Sequence, residues 1–424
     1  MTMSPTPTLK IAVVGGGGHV GLPLSLLLAE QGFAVTIIDR DVAKLDMLRQ
    51  GHFPFMEEGG EALLQAAQRR QLTLTAEAKE IANCEVIILV VGTPVDEHMN
   101  PDLSTVHAVI ADIRPHLRDG QVIILRSTLF PGTSEKIHAA LQAKGRRVGV
   151  CFCPERIAQG QALRELREFP QIISGSDPAA LAMARRIFST LTPTLVELDM
   201  TEAELAKLFT NTWRYIKFAV ANQFYTIAAE KGLDFYRIRE AMMREYPRAV
   251  DFPQAGFAAG PCLFKDTMQL AAYNRQHFAL GHAAMLVNET LPNFLVEQAK
   301  HRHRLSDLRV GVLGMAFKPN NDDPRESLAY KLRRLLLYEN ATVLCTDPYI
   351  KDPSFVLLET MLNSCKLIFI GCPHAVYRNL DFKGKDVVDC WGFVTQLAGT
   401  PAVAASRSGR PRLARQRARR LVQR

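Results

Sequence analysis

The stretch Lys10-Ile11-Ala12-Val13-Val14-Gly15-Gly16-Gly17-Gly18-His19-Val20-Gly21 decides the fold. Ile11–Val14 reads as a buried strand, and the apolar run that follows, Leu22–Gln31, has helical spacing. Gly16, Gly18 and Gly21 fit the pattern GxGxxG. The first glycine permits the tight turn, the second lets a pyrophosphate approach the backbone, and the third lets helix and strand pack closely. The helix start adds N–H donors and a positive dipole end, with His19 and Val20 beside the phosphates. Asp39 closes the next apolar run, 18 residues after Gly21, where a carboxylate binds ribose hydroxyls. It repels a 2′-phosphate and so favours NAD over NADP, although the neighbouring Arg40 pulls the other way. A lone GxGxxG also occurs as an ordinary glycine-rich turn; here the strand, the helix and the acid all stand where a dinucleotide site needs them.

Outward from this stretch, short apolar runs alternate with helical patterns. Strands are expected at Lys10–Val14, Ala34–Asp39, Val86–Val91, Val122–Ser127 and Gly149–Cys153, with helices such as Leu22–Gln31 and Ala43–Gln50 between them. That alternation predicts βαβ units and a parallel, doubly wound sheet, to which Gln171–Ser174 and Thr194–Leu198 could add strands. Glu204–Lys231 contains no Gly or Pro and predicts one helix of 28 residues. From Leu308 the alternation returns: Arg309–Leu313, a helix at Ser327–Tyr338, Thr342–Thr346, Leu367–Gly371 and Asp386–Asp389. The expected fold class is α/β, with an N-terminal Rossmann domain over 1–200, a central long-helix region over 201–304 and a second, smaller Rossmann-like domain over 305–398. Gly314 is followed by no GxxG, which argues against a second dinucleotide.

Composition narrows the class. The 424 residues are 47% hydrophobic and 22% charged, as in a soluble globular protein. The net charge of +8 is an effect of one end. Eight Arg and no acid lie between Pro401 and Arg424, and without them 43 basic residues face 43 acidic ones. A nucleic-acid-coating surface is therefore not expected. Residues 399–424 are expected to be a disordered tail. No apolar run reaches the roughly 18 residues of a membrane span, and Met1–Thr8 lacks an apolar signal core, so a cytoplasmic protein is expected. The eight cysteines form no CxxC pair and no zinc spacing; free thiols and no metal are expected.

Further segments, in order along the chain, resemble the UDP-glucose/GDP-mannose dehydrogenase family. They are Val91-Gly92-Thr93-Pro94; Ser127-Thr128 with Pro131-Gly132-Thr133; Cys153-Pro154-Glu155-Arg156; Glu204-Leu205-x-Lys207-x-x-x-Asn211; Gly256-Phe257 through Cys262-Leu263-Phe264-Lys265-Asp266; and Ala316-Phe317-Lys318-Pro319-Asn320 with Asp323 and Arg325-Glu326-Ser327. The resemblance implies an NAD-binding domain, a central dimerisation region, a domain that binds the nucleotide diphosphate, and a homodimer or higher oligomer. It implies four-electron oxidation of a nucleotide sugar to its uronate.

Chemistry asks for the same residue types. Taking an alcohol to an acid requires the intermediate aldehyde to be trapped as an adduct, which a thiolate provides. The resemblance makes Cys262, read as a loop cysteine beside Lys265, the nucleophile. Lys207 and Asn211, four apart on one helix face, would hold the oxyanion. Asp266 would orient the ammonium or water network, Glu155 would activate water against the thioester, and Thr128 would bond cofactor or water. Thr93 would line the cofactor site. Arg156, Lys265, Lys318 and Arg325 would meet the substrate and its diphosphate. For each charged residue the plain alternative is a surface ion pair.

Some positions depart from the family pattern. Pro261 precedes the cysteine and Lys265 follows it, which leans toward a UDP-hexose such as UDP-glucose. A UDP-N-acetylhexosamine or GDP-mannose is the alternative. Cys390-Trp391 stands where many members carry an arginine, and Gln159 and Gln223 replace frequent glutamates. Two other readings compete: a two-electron 3-hydroxyacid-type dehydrogenase, and a catalytically silent nucleotide-binding scaffold.

Overall fold

A computed structural model describes residues 8–394 except Gln71; the arginine-rich segment 399–424 lies outside the described residues. The first domain is a six-stranded parallel sheet. Its strands are β1 (Lys10–Val14), β2 (Ala34–Ile38), β3 (Leu72–Thr75), β4 (Val86–Leu89), β5 (Val122–Leu125) and β6 (Gly149–Phe152), in the order β3-β2-β1-β4-β5-β6. The helices are α1 (Gly21–Glu30), α2 (Val42–Arg49), α3 (Gly60–Gln68), α4 (Ser104–Ile113), α5 (Thr133–Ala143), α6 (Ala162–Glu168) and α7 (Pro178–Phe188). Helices on both faces bury both sides of the strands. Ile11, Val13, Val35 and Ile88 feed one apolar core, and Ala12, Ile87, Leu89 and Ile123 the other.

The register sets the site. Val14 pairs with Ile38 and with Leu89, and Leu125 pairs with Leu89 and Phe152. All these strands therefore end at one edge. The glycine loop, Asp39, Val90–Val95, Arg126–Thr128 and Cys153–Glu155 emerge together beside the β1/β4 switch point, where doubly wound sheets bind ligands.

Two expectations shift here. β7 (Gln171–Ile173) and β8 (Leu195–Glu197) pair with each other in a separate two-stranded parallel sheet and do not widen the main one. The long helix, α8 (Met200–Glu230), has 31 residues and starts one turn before the expected Glu204. Asp199 and Glu202 form a capping box that begins it there.

The central region continues with α9 (Phe235–Met243), α10 (Leu263–Tyr273) and α11 (Ala279–Lys300); α8 packs on α10 and α11. The last domain holds β9 (Arg309–Leu313), α12 (Leu328–Tyr338), β10 (Thr342–Thr346), α13 (Leu358–Ser364), β11 (Leu367–Ile370) and β12 (Asp386–Val388). Its four strands are parallel, in the order β10-β9-β11-β12. Among the described residues no helix is long and apolar enough to cross a membrane, and no His/Cys/Asp/Glu group could hold a metal.

Candidate active site

One cleft of about 970 Å³ is lined by all three regions. The first domain contributes Gly18, His19, Val20, Thr93, Ser127, Thr128 and Glu155; the central region Lys207, Cys262 and Lys265; the last domain Asp323 and Arg325.

At the dinucleotide end, a Cβ on Gly21 would stand 2.5 Å from the Gly15 carbonyl, so the helix packs down on the turn only because no side chain intervenes. On Gly18 a Cβ would meet nothing nearer than 3.6 Å, which leaves the backbone open to a ligand. Gly16 lies beneath, against Val13 and Ile37. Gly15 is a fourth constrained position: its φ of +78° is left-handed, and a Cβ there would lie 2.0 Å from the Val90 carbonyl. Asp39 follows β2, with Oδ2 accepting the Gly17 N–H at 2.9 Å and Oδ1 that of Asp41 at 3.0 Å. Arg40 is exposed and does not line the cleft. The open loop, the helix start and the carboxylate fit a dinucleotide.

His19 stacks against Phe55, their ring centroids 4.0 Å apart. Burial and the nearby Arg325 guanidinium lower its pKa to about 4, so the ring is neutral at pH 7.

Cys262 is the last residue of its loop. It is the N-cap of α10, which puts the helix's amino end and its unpaired N–H groups beside the sulfur. The other seven cysteines are buried, and Cys262 alone is exposed. Just before it, Gly260 has φ +98°, and a Cβ there would strike the Phe317 ring at 2.5 Å. The cysteine turn is thereby seated against the last domain.

Beneath the cysteine lies a buried network. Asp266 is wholly buried; its Oδ2 accepts from Asn211 Nδ2 at 2.6 Å and its Oδ1 from Lys265 Nζ at 2.5 Å. Lys207 donates its ammonium to the Glu155 carbonyl. Burial pushes the Lys207 ammonium below its usual value, and Asp266 pulls against that shift. Asp266 and Asn211 do not themselves line the cleft; they brace the residues that do.

Glu155 is 7% exposed and held by three donors. Oε1 accepts the N–H groups of Arg156 at 2.6 Å and Ile157 at 2.9 Å, and Oε2 is paired with Arg126. Arg126 is fully buried, 5.0 Å over the Phe188 ring, with Nη1 on Gln171 Oε1 at 3.1 Å. Arg126 went unread in the sequence. Its one signal is a lone arginine closing an apolar strand at the edge where ligands bind.

Two substrate expectations sit elsewhere. The Arg156 guanidinium is spent on the Pro170 carbonyl, away from the cleft lining. Lys318 donates to the Gln159 carbonyl, behind the wall. Arg325 faces the cleft, with Nε and Nη2 on Asp323. Lys44 and Phe55 also line the cleft and were not singled out.

The chain matches the UDP-glucose/GDP-mannose dehydrogenase family three times: its NAD binding domain over residues 9–192, its central domain over 201–290 and its UDP binding domain over 311–396. A UDP-N-acetyl-D-mannosamine dehydrogenase of Methanocaldococcus jannaschii is 31% identical, over 88% of this chain and 87% of the relative. A solved UDP-D-ManNAc dehydrogenase from Pyrococcus horikoshii superposes with TM-score 0.83 at 27% identity, covering 89% of this chain and 93% of that one. A UDP-glucose dehydrogenase from Pyrobaculum islandicum does so with TM-score 0.83 at 28% identity, covering 92% and 96%. The relatives include dehydrogenases of both UDP-N-acetylmannosamine and UDP-glucose, and they leave unconfirmed the lean toward UDP-glucose. It rested partly on Lys265, whose ammonium is tied to Asp266 and so is a poor guide to the sugar. With a dinucleotide loop, a cleft built from three regions and all three domain matches in family order, the chain belongs to the UDP-glucose/GDP-mannose dehydrogenase family, as an NAD-dependent nucleotide-sugar dehydrogenase.

Proposed function

We propose that the enzyme oxidises the C6 hydroxymethyl group of a UDP-N-acetylhexosamine to a carboxylate through a thioester on Cys262. The observation that carries this reading is the single cleft shared by the exposed Cys262, Lys207, Glu155, Thr128 and the glycine loop. The sugar rests on the named N-acetylmannosamine relatives.

Gly18–Val20 and Asp39 would hold NAD, which would supply a hydride acceptor for each of two oxidations. The chain's own residues do the rest. Lys207 assists removal of the C6 hydroxyl proton. Sγ of Cys262 then adds to the aldehyde carbon, and the oxygen that gains the electron pair is met by Lys207, with Asn211 bracing the site from behind. Asp266, bonded to the Asn211 amide and the Lys265 ammonium, supports the site from below. After the second oxidation, Glu155 takes a proton from water as it adds to the thioester carbon. The C–S bond breaks, the thiol is restored and the acid leaves. Thr128 holds that water or the cofactor.

We also propose a homodimer. Phe209, Trp213, Val220, Phe224 and Ile227 recur at helical spacing along α8, and all are exposed. A second copy covering this stripe removes it from water.

The test is a panel of UDP-N-acetylhexosamines, UDP-glucose and GDP-mannose with NAD. Two NADH per sugar and a uronate from an N-acetylated substrate are expected. Turnover of UDP-glucose alone would overturn the sugar, and one NADH with a ketone would overturn the thioester route. Light scattering behind a sizing column reads the dimer.

A further inference from the structure

The loop 314–327, between β9 and α12, holds the turn that leads to Cys262. Its Glu326 carbonyl accepts the Gly260 N–H at 3.2 Å, and its Phe317 ring fills the space that a Cβ on Gly260 would need. The same loop reaches the first domain, where Met56 N–H donates to Asp322 Oδ2 at 3.0 Å and Lys318 donates to the Gln159 carbonyl. Asn320 and Glu326 within it have left-handed backbone, with φ of 54° and 53°. Such backbone persists only where the surroundings hold it.

What holds it is a histidine and a carboxylate behind the loop. His374 follows β11 and Asp347 closes β10, and both side chains are wholly buried. Asp347 Oδ2 accepts the N–H groups of Met315 at 2.7 Å and Ala316 at 3.1 Å. His374 Nδ1 accepts the Asn320 N–H at 2.9 Å, which puts the ring proton on Nε2, 3.0 Å from Asp347 Oδ2. Asn320 Oδ1 takes the Ala375 N–H in return at 2.8 Å. β10 runs beside β9 as β2 runs beside β1, so Asp347 closes its strand as Asp39 follows β2 in the first domain. The position that would offer a carboxylate to a ribose in one domain grips a loop in the other.

We infer that His374 and Asp347 are positioning residues for the nucleophile: they fix the loop 314–327 from behind, and the loop seats the turn from Gly260 to Cys262 at the head of α10. This rests on the proposed role of Cys262. Neither His374 nor Asp347 lines the cleft, so both act through the loop. A displacement of about 1 Å at a reacting group is enough to cost roughly a hundredfold in rate, so a seat this far from the chemistry still matters to it.

The probe is iodoacetamide on the full-length protein, with alkylation of Cys262 followed by mass; the other seven cysteines are buried. His374→Leu removes the acceptor and keeps much of the bulk. It should slow alkylation of Cys262 by about fivefold and lower kcat by about tenfold. His374→Asn puts an amide oxygen where Nδ1 stood, and both rates should stay within about twofold of the wild type. Equal losses for Leu and Asn would show packing alone and overturn the inference. So would a Leu variant that is alkylated like the wild type. If the Leu variant does not fold, Asn320→Gly decides: the position is exposed, its left-handed φ suits glycine, and the bond from Ala375 is lost. Alkylation slowed about twofold or more is expected there, and an unchanged rate overturns the inference. A wild-type enzyme that keeps its turnover after Cys262 is alkylated would sink the proposed thioester route, and this inference with it.

Discussion

Arg126 and Glu155 form a buried ion pair in the wall of the cleft, 29 positions apart in sequence but adjacent because β5 and β6 run side by side. The pair joins a structural charge to the carboxylate proposed to activate water. Glu155→Gln leaves the guanidinium without a counter-ion, which should cost about 3 kcal/mol in urea unfolding. Replacing both, Arg126→Met with Glu155→Leu, should recover most of that loss. In activity, Glu155→Gln should release one burst of NADH and stall, with added mass on Cys262. Steady turnover near the wild-type rate would assign Glu155 a structural role only.

Cys262→Ser should abolish uronate formation while NAD binding, read by fluorescence titration, stays within about twofold. A hydroxyl at the head of α10 is a far weaker nucleophile than a thiolate. Uronate production by the serine variant would end the thioester mechanism.

Asp39→Ala should weaken NAD by roughly tenfold and narrow the gap to NADP, since a charged acceptor is lost and a 2′-phosphate is no longer repelled. The measurement is KM for both cofactors. A wild type that already prefers NADP would mean that Arg40 outweighs the carboxylate.

Acid should destabilise the fold through His19. Its folded pKa of about 4 lies below the ordinary histidine value of 6.5, so the unfolded chain binds more protons between those values. The contribution is complete above pH 6.5 and is lost as pH falls through 4, approaching roughly 3 kcal/mol. His19→Gln should flatten this part of the stability curve. Urea midpoints at pH 7 and pH 5 that fall equally in both proteins would contradict it.

The parts of the fold that were legible are the locally written ones. The apolar runs that became β1, β4 and β5 are buried on both faces, and the glycine turn needs only its own residues. β3 was missed because Leu72–Thr75 alternates with threonine at the sheet edge and is mostly half-buried. The start of α8 was placed a turn late because its capping box precedes the helix's regular apolar spacing. The helix that Cys262 caps was not foreseen because glycines and prolines crowd the segment from Pro253 to Pro261, which hides its start at Leu263. The Arg126–Glu155 pair and the Lys318–Gln159 contact depend on strand register and domain docking, which no local pattern records. Resemblance supplied the residues' roles, and Arg156 shows its limit, for its side chain turns away from the cleft.

The chain has two tryptophans, one where the last domain meets the central region and one on the exposed face of α8 proposed for dimerisation. Trp391, from the last domain, lies over Gly256, its ring 5.9 Å from that of Phe257 and its Nε1–H on the Ile370 carbonyl at 3.0 Å. It touches the segment that leads to the nucleophile. Trp213 is 59% exposed on α8, with the Lys217 ammonium 5.7 Å from its ring centre. The protein therefore carries two optical reporters without labelling. Blue-shifted emission from Trp213 on raising protein concentration would follow subunit association. In a Trp213→Phe variant, the remaining emission would come from Trp391 alone and would report on the packing of the last domain against the loop that leads to Cys262 when ligands are added.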